Sequence, residues 1–246
     1  MGKIFRYELR RLLWNKIFLG ILAVTLGWGW VLLRGEVILG VADTAPFSPW
    51  SFGYYLARLL PMLCLGELFF LSFFTSGQER RVRVLTRAAP MDTWRYAAVR
   101  CAAVLAGTLL LCLSAAGLYA GFCAVLFGWR GFGSLLVPFL LVLLPPALFC
   151  AGLGWRLGNL RPELLYGLMA GVFLLSLVPL PQALDFSMGN FFQNYPLNLG
   201  VLDPAFSVPG SVLAGRAGYL AVGLLAASLR PCRAKPFIPS RRNAAD

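Results

Sequence analysis

The sequence predicts an all-α, polytopic membrane protein with six transmembrane helices, and three observations carry this prediction. Hydrophobic residues make up 59% of the 246 positions, whereas charged residues make up only 13%, about half their usual share in a soluble domain. The apolar residues fall into six runs, most of them close to the roughly 20 residues that a helix needs to cross a bilayer. The charges lie mainly between the runs. We expect spans at residues 17–33, 53–74, 97–127, 134–155, 163–181 and 211–229.

These spans form a single predicted transmembrane domain over residues 1–230. Residues 231–246 are polar and basic, so we expect a flexible tail.

Residues 3–16 precede the first span and have the pattern of an amphipathic helix. Apolar side chains recur at helical spacing, while basic side chains gather on another arc, so the helix can lie in the membrane interface. The apolar positions are Phe5, Leu9, Leu12 and Leu13.

The second span contains an acidic residue, Glu67, near its middle. A charged carboxylate at that depth costs about 2.5 to 3.5 kcal/mol. Glu67 must therefore face protein or water, or be protonated. We consider it a candidate residue of a transport pathway, and the alternative is a buried acid paired with a neighbouring helix.

The later spans contain glycines four residues apart, a spacing typical of closely packed membrane helices. These pairs are Gly117 with Gly121, Gly154 with Gly158, and Gly167 with Gly171. The connection at 182–210 has no lysine or arginine and is rich in aromatic residues, so we expect it to be interfacial or re-entrant.

The basic residues predict the orientation. Most of them fall on one side when the connections are assigned to alternate sides of the membrane, and that side is cytoplasmic by the positive-inside rule. The exceptions are Arg34, Arg58, Arg130 and Arg216. Both termini are therefore predicted to be cytoplasmic.

Several kinds of chemistry are excluded. The chain has no histidine, which removes His-based metal sites and general bases. No lysine stands in the GxxxxGK[ST] context of a phosphate-binding loop. The basic residues lie between apolar runs and form no single soluble face, which argues against nucleic acid. We expect neither an enzyme nor a resident cofactor or metal.

The connection between the second and third spans, residues 75–96, is rich in arginine, and we call it the arginine segment. Residues 79–89 can form a short helix with a basic stripe and an apolar stripe, and Pro90 ends it. The arginines fit anionic lipid headgroups, and the apolar stripe fits a groove on a partner protein. Both interpretations stay open and are compatible.

Several features together resemble the membrane subunit of an ABC-2 type ABC transporter. They are the sequence ELRRLLWNK at residues 8–16, an arginine segment that contains Glu79-Arg80 and ends in P-x-x-x-W-R-Y at residues 90–96, the six spans, and the long connection before the last span.

The resemblance implies a permease without its own ATPase. It would pair with a second copy or a related permease chain and with separate ATP-binding subunits, which would hold the ATP, in a bacterial plasma membrane. Residues 79–89 would be the coupling helix, and residues 3–16 would lie along the inner membrane surface. A peptide antibiotic or a lipid-like molecule is the implied cargo. The implied interface residues are Glu79, Arg80, Val82, Arg83, Leu85 and Arg87.

Two other functions remain open. An ion-coupled secondary transporter would use an intramembrane charge such as Glu67. A non-transporting membrane scaffold would need only the basic connections and the glycine pairs.

Overall fold

A computed structural model describes residues 2–76, 93–178 and 180–228 of the chain. All regular secondary structure in these ranges is helical, which confirms the predicted all-α class. The helices are α1 (Gly2–Leu13), α2 (Lys16–Gly35), α3 (Pro49–Thr75), α4 (Thr93–Phe127), α5 (Leu136–Leu160), α6 (Glu163–Leu177), α7 (Gly189–Asn198) and α8 (Gly210–Ser228). Short 3-10 turns at Val37–Leu39 and Phe132–Leu135 follow α2 and precede α5.

Five helical segments of the described chain are long and apolar enough to cross a membrane. They are Lys16–Leu39, Pro49–Thr75, Arg95–Phe127, Phe132–Leu160 and Gly210–Ser228. The fold is therefore that of a multi-pass membrane protein. The predicted span 163–181 corresponds to α6, which is apolar but only 15 residues long, so the count of six spans stays a prediction.

Polar caps separate the membrane helices at points that the sequence marks locally. The Asn15 side chain accepts a hydrogen bond from the Ile17 N–H at 3.1 Å, and this cap starts α2. Ser48 accepts from the Ser51 N–H at 3.2 Å at the start of α3, where Pro49 fits the first turn. The amphipathic segment and the first span are therefore two helices divided at Asn15.

Helix α3 is the centre of the bundle, since it packs against α2, α4, α5, α6 and α7. Its buried side includes the large side chains Trp50, Tyr55, Phe70 and Phe74. A movement of α3 would therefore reach most of the other helices.

One predicted glycine pair packs closely. A Cβ on Gly158 would lie 2.9 Å from Leu165 of α6 and 3.0 Å from Thr75 of α3, and Gly154 meets α3 in the same way. The other two pairs pack against no helix in the described ranges, because no described neighbour lies within 4 Å of a Cβ on those glycines. They are Gly117, Gly121, Gly167 and Gly171.

The closest approach of two helices involves glycines that the four-residue spacing does not connect. A Cβ on Gly152 of α5 would collide with the backbone carbonyl oxygen of Gly223 on α8. The two backbones touch because neither residue has a side chain, so α5 and α8 pack more closely than larger residues would allow.

Two ends of the bundle can be defined from these contacts. The near end holds Glu8, Thr75 and Arg100, where α1 packs, α3 ends and α4 begins. The far end holds Glu36 and Trp50, where α2 ends and α3 begins.

Candidate functional site

The predicted partner interface lies outside the described residues, which omit 77–92. That gap includes Glu79, Arg80, Val82, Arg83, Leu85 and Arg87. The helices on either side of the gap are described, and they meet α1 at the near end of the bundle.

A buried ion pair joins α1 to α4 at this point. Glu8 is 2% exposed and Arg100 is 4% exposed. The Glu8 Oε1 atom accepts hydrogen bonds from the Arg100 Nε at 3.2 Å and from the Tyr96 hydroxyl at 2.9 Å. The Arg100 guanidinium also lies over the rings of Tyr96 and Phe74, with distances of 4.5 and 5.5 Å to the ring centroids. The pair therefore fixes α1 to the helix that follows the arginine segment.

Helix α1 also contacts the helix that precedes the arginine segment. The Arg11 Nη1 lies 3.8 Å from Glu8 Oε2, and its guanidinium sits 4.7 Å from the ring centroid of Phe73 on α3. We call this meeting point of α1, the end of α3 and the start of α4 the near-end junction. It is built around Glu8, Arg11 and Arg100.

The predicted apolar face of α1 faces α4 in the structure. Leu12 is buried, and a Cβ on Gly107 of α4 would lie only 2.7 Å from it. The other predicted positions, Phe5, Leu9 and Leu13, are partly buried.

The sequence pattern missed Glu8, because an acid next to Arg10 and Arg11 was assigned no role. Its position four residues before Leu12 was the available signal, since that spacing places both side chains on one face.

Glu67 lies in the packed core of α3 and is fully buried. Neither of its carboxylate oxygens has a hydrogen-bond partner in the described part of the chain. Cys64 precedes it by three residues on the same helix, so the two side chains lie on one face of α3.

No group of three or more His, Cys, Asp or Glu residues able to hold a metal occurs among the described residues. Glu67 is thus a buried acid without a hydrogen-bond partner among these residues. Its role in a transport pathway stays a prediction.

The connection at 182–210 forms a cap on the far end of α3. The Trp50 Nε1 donates a hydrogen bond to the Pro204 carbonyl oxygen at 2.8 Å. Its ring lies 4.8 Å from Phe206, 5.7 Å from Phe191 and 5.9 Å from Tyr195, measured between centroids. The aromatic residues that predicted an interfacial segment therefore pack against α3, and part of the connection forms helix α7.

A buried arginine holds this connection against α8. Arg216 donates hydrogen bonds to the backbone carbonyl oxygens of Phe186 at 2.9 Å and Asp185 at 3.1 Å. The Asp185 carboxylate in turn accepts from the backbone N–H groups of Ser187 and Asn190 and caps the start of α7. In the sequence, Arg216 contributed only to the predicted orientation. A lone arginine inside an apolar run was the signal for a buried structural role.

The fold is thus that of a multi-pass helical membrane protein, with the near-end junction at one end and the aromatic cap at the other. Comparison with known proteins adds no family, since no family model, curated protein or solved structure matches the chain.

Proposed function

We propose that this chain is the permease subunit of an ATP-driven exporter of the ABC-2 type. It forms the membrane pathway with a second copy or a related chain and couples to a separate ATP-binding subunit through residues 79–89. In this proposal the protein resides in a bacterial plasma membrane, with both termini in the cytoplasm.

The observation that carries the proposal is the near-end junction. The arginine segment connects α3 to α4, and α1 is tied to α4 by the buried pair of Glu8 and Arg100. A protein that pulls or pushes on this segment therefore acts directly on the central helix α3 and on a unit of α1 and α4.

The sequence of the arginine segment supplies the docking chemistry. Arg80, Arg83 and Arg87 give a basic stripe, and Val82 and Leu85 belong to the apolar stripe beside it. A helix with both stripes suits a groove that is apolar inside and acidic at its rim. The cargo that suits this chain is an amphipathic molecule such as a peptide antibiotic or a lipid-like compound.

Association with the ATP-binding subunit is the direct test. The chain should co-purify with an ABC ATP-binding subunit encoded beside it, and the double variant Arg83→Glu with Leu85→Asp should abolish both co-purification and ATP-dependent transport in proteoliposomes. The double variant Arg241→Glu with Phe237→Asp makes the same changes of charge and polarity in the tail and should leave both intact. Unchanged association of the first variant would refute the proposed docking site.

An ion-coupled secondary transporter is the second candidate, because Glu67 is a buried intramembrane acid without a described hydrogen-bond partner. Transport driven by a pH gradient without ATP, and lost in Glu67→Gln, would favour it over the exporter. Partner binding without any movement of cargo in the same vesicles would instead favour a membrane scaffold.

A further inference from the structure

A lateral groove lies between α2 and α4 in the half of each helix that approaches the far end. It has a volume of about 730 Å³, within the range of roughly 300 to 1,000 Å³ that ligand sites occupy. The lining residues are Trp30, Arg34, Ile38, Gly117, Leu118, Gly121, Phe122, Val125 and Leu126. The groove is thus apolar except for one arginine.

Two small residues of α4, Gly117 and Gly121, form the floor of the groove. A Cβ on Gly117 or Gly121 would have no described neighbour within 4 Å. Beside these glycines, the rings of Trp30 and Phe122 meet edge to face with centroids 5.9 Å apart. Both helices are among the candidate membrane spans, so an apolar slot between them faces hydrocarbon rather than water.

The charge at the end of the groove has no acidic partner in the described chain. Arg34 is exposed and lies over the Trp30 ring at 4.9 Å from its centroid. The nearest acid in sequence, Glu36, is already engaged, since its Oε1 binds Arg58 at 3.2 Å and its Oε2 accepts from the Tyr54 hydroxyl at 2.7 Å. Arg34 is therefore available to an anion from outside the chain.

We propose that this groove binds one anionic phospholipid, with an acyl chain along the glycine floor and the phosphate on Arg34. Arg34 lies in the last turn of α2, where a span ends and lipid headgroups lie, and an arginine guanidinium pairs with phosphate through charge-assisted hydrogen bonds. The aromatic and aliphatic walls of the groove suit the acyl chain of the lipid, and the single cation suits its phosphate headgroup. The inference is independent of transport, since it uses no residue of the arginine segment.

Native mass spectrometry of the purified chain tests the proposal, with phosphatidylglycerol and phosphatidylcholine as probes. The unmodified chain should retain one phosphatidylglycerol in preference to phosphatidylcholine, because the choline cation of phosphatidylcholine offsets the attraction of its phosphate to Arg34. Arg34→Gln should lower that preference roughly fivefold, equivalent to about 1 kcal/mol, which is the upper end for an exposed ion pair. The double variant Gly117→Leu with Gly121→Leu should abolish retention of either lipid at this site, because leucine side chains would fill the slot.

Two matched controls separate the site from general effects. Arg130→Gln removes another exposed arginine in the connection that follows α4, and Gly167→Leu with Gly171→Leu adds the same bulk to open positions on α6. Both should retain the lipid as the unmodified chain does.

Unchanged retention in the filled-groove variant would overturn the proposal. So would a dimer of the chain that dissociates in this variant, because a second copy would then occupy the groove. These variants leave residues 77–92 intact, so their failure would not bear on the docking of an ATP-binding subunit.

Discussion

Glu8 is the single residue on which the near-end junction depends most. Its carboxylate accepts from Arg100 and Tyr96 in a site from which solvent is almost excluded. Removal of one member of a buried ion pair typically costs about 3 to 5 kcal/mol. We therefore expect Glu8→Ala to lower the free energy of unfolding by about 3 kcal/mol, measured by chemical unfolding in detergent.

The control for this prediction lies on the same helix. Lys3→Ala removes an exposed charge and should change stability by less than about 0.5 kcal/mol. A double-mutant cycle with Arg100→Ala should show strong non-additivity, and additive effects would mean that the two residues stabilise the fold separately.

Gly223 provides a test of helix packing at the residue scale. A Cβ at this position would collide with backbone atoms of Leu148, which cannot rotate away. We expect Gly223→Ala to destabilise the protein by about 1 to 3 kcal/mol through overpacking. Gly171→Ala adds the same methyl group to an open helical position and should be neutral or stabilising by up to about 1 kcal/mol. Equal effects of the two variants in thermal unfolding would contradict the close packing of α5 and α8.

Local spacing explains which residues were predictable. Leu12 belongs to a periodic apolar face and was recognised from it, and Glu67 was noticed as an acid within an apolar run. The pairing of Glu8 with Arg100 joins residues 92 positions apart, and no local pattern contains that information. The packing of Gly152 on Gly223 is equally non-local.

At the scale of elements, five of the six apolar runs correspond to helices long and apolar enough to span a bilayer, because length and hydropathy are local properties of a sequence. Helix α7 was not predicted. It has only ten residues, too few to be stable in isolation. Its aromatic face is stabilised by Trp50 on another element.

Trp50 offers the test of this cap. Trp50→Phe keeps an aromatic ring but removes the hydrogen bond to the Pro204 carbonyl oxygen. We expect this variant to lower the free energy of unfolding by about 1 kcal/mol. Trp50→Ala also removes the ring that packs on Phe191 and Phe206, and we expect it to lower the free energy of unfolding by about 3 to 5 kcal/mol.

Hydrogen exchange of residues 189–206, followed by mass spectrometry, is the appropriate measurement for these two variants. Exchange should accelerate there more than in α5. Acceleration spread evenly over the chain would show that the cap has no stability of its own.

At the scale of the whole molecule, the position of α3 connects the two ends. Its last turns belong to the near-end junction, and Trp50 in its first turn contacts the aromatic cap. The apolar pattern places the arginine segment after this span but does not identify the span as the central helix, because that position depends on contacts with five other helices.

The number of membrane crossings is the property that decides the orientation of the whole chain. Five spans would place the termini on opposite sides, whereas six place them on the same side. Helix α6, at 15 residues, is about 22 Å long, which is short for a crossing. The stretch from Leu165 to Phe191 nevertheless passes from one end of the bundle to the other. Leu165 lies beside Gly158 and Thr75 at the near end, and Phe191 packs on Trp50 at the far end.

We therefore expect α6 and the connection that follows it to make the sixth crossing together. A phosphatase fused after Gln193 should be active outside the cytoplasm, and a fluorescent protein fused after Asp246 should fold inside it. A fluorescent protein fused before Met1 should also fold inside. An inactive phosphatase after Gln193, together with a carboxyl-terminal fusion on the outer side, would establish five crossings and remove the predicted cytoplasmic location of the tail.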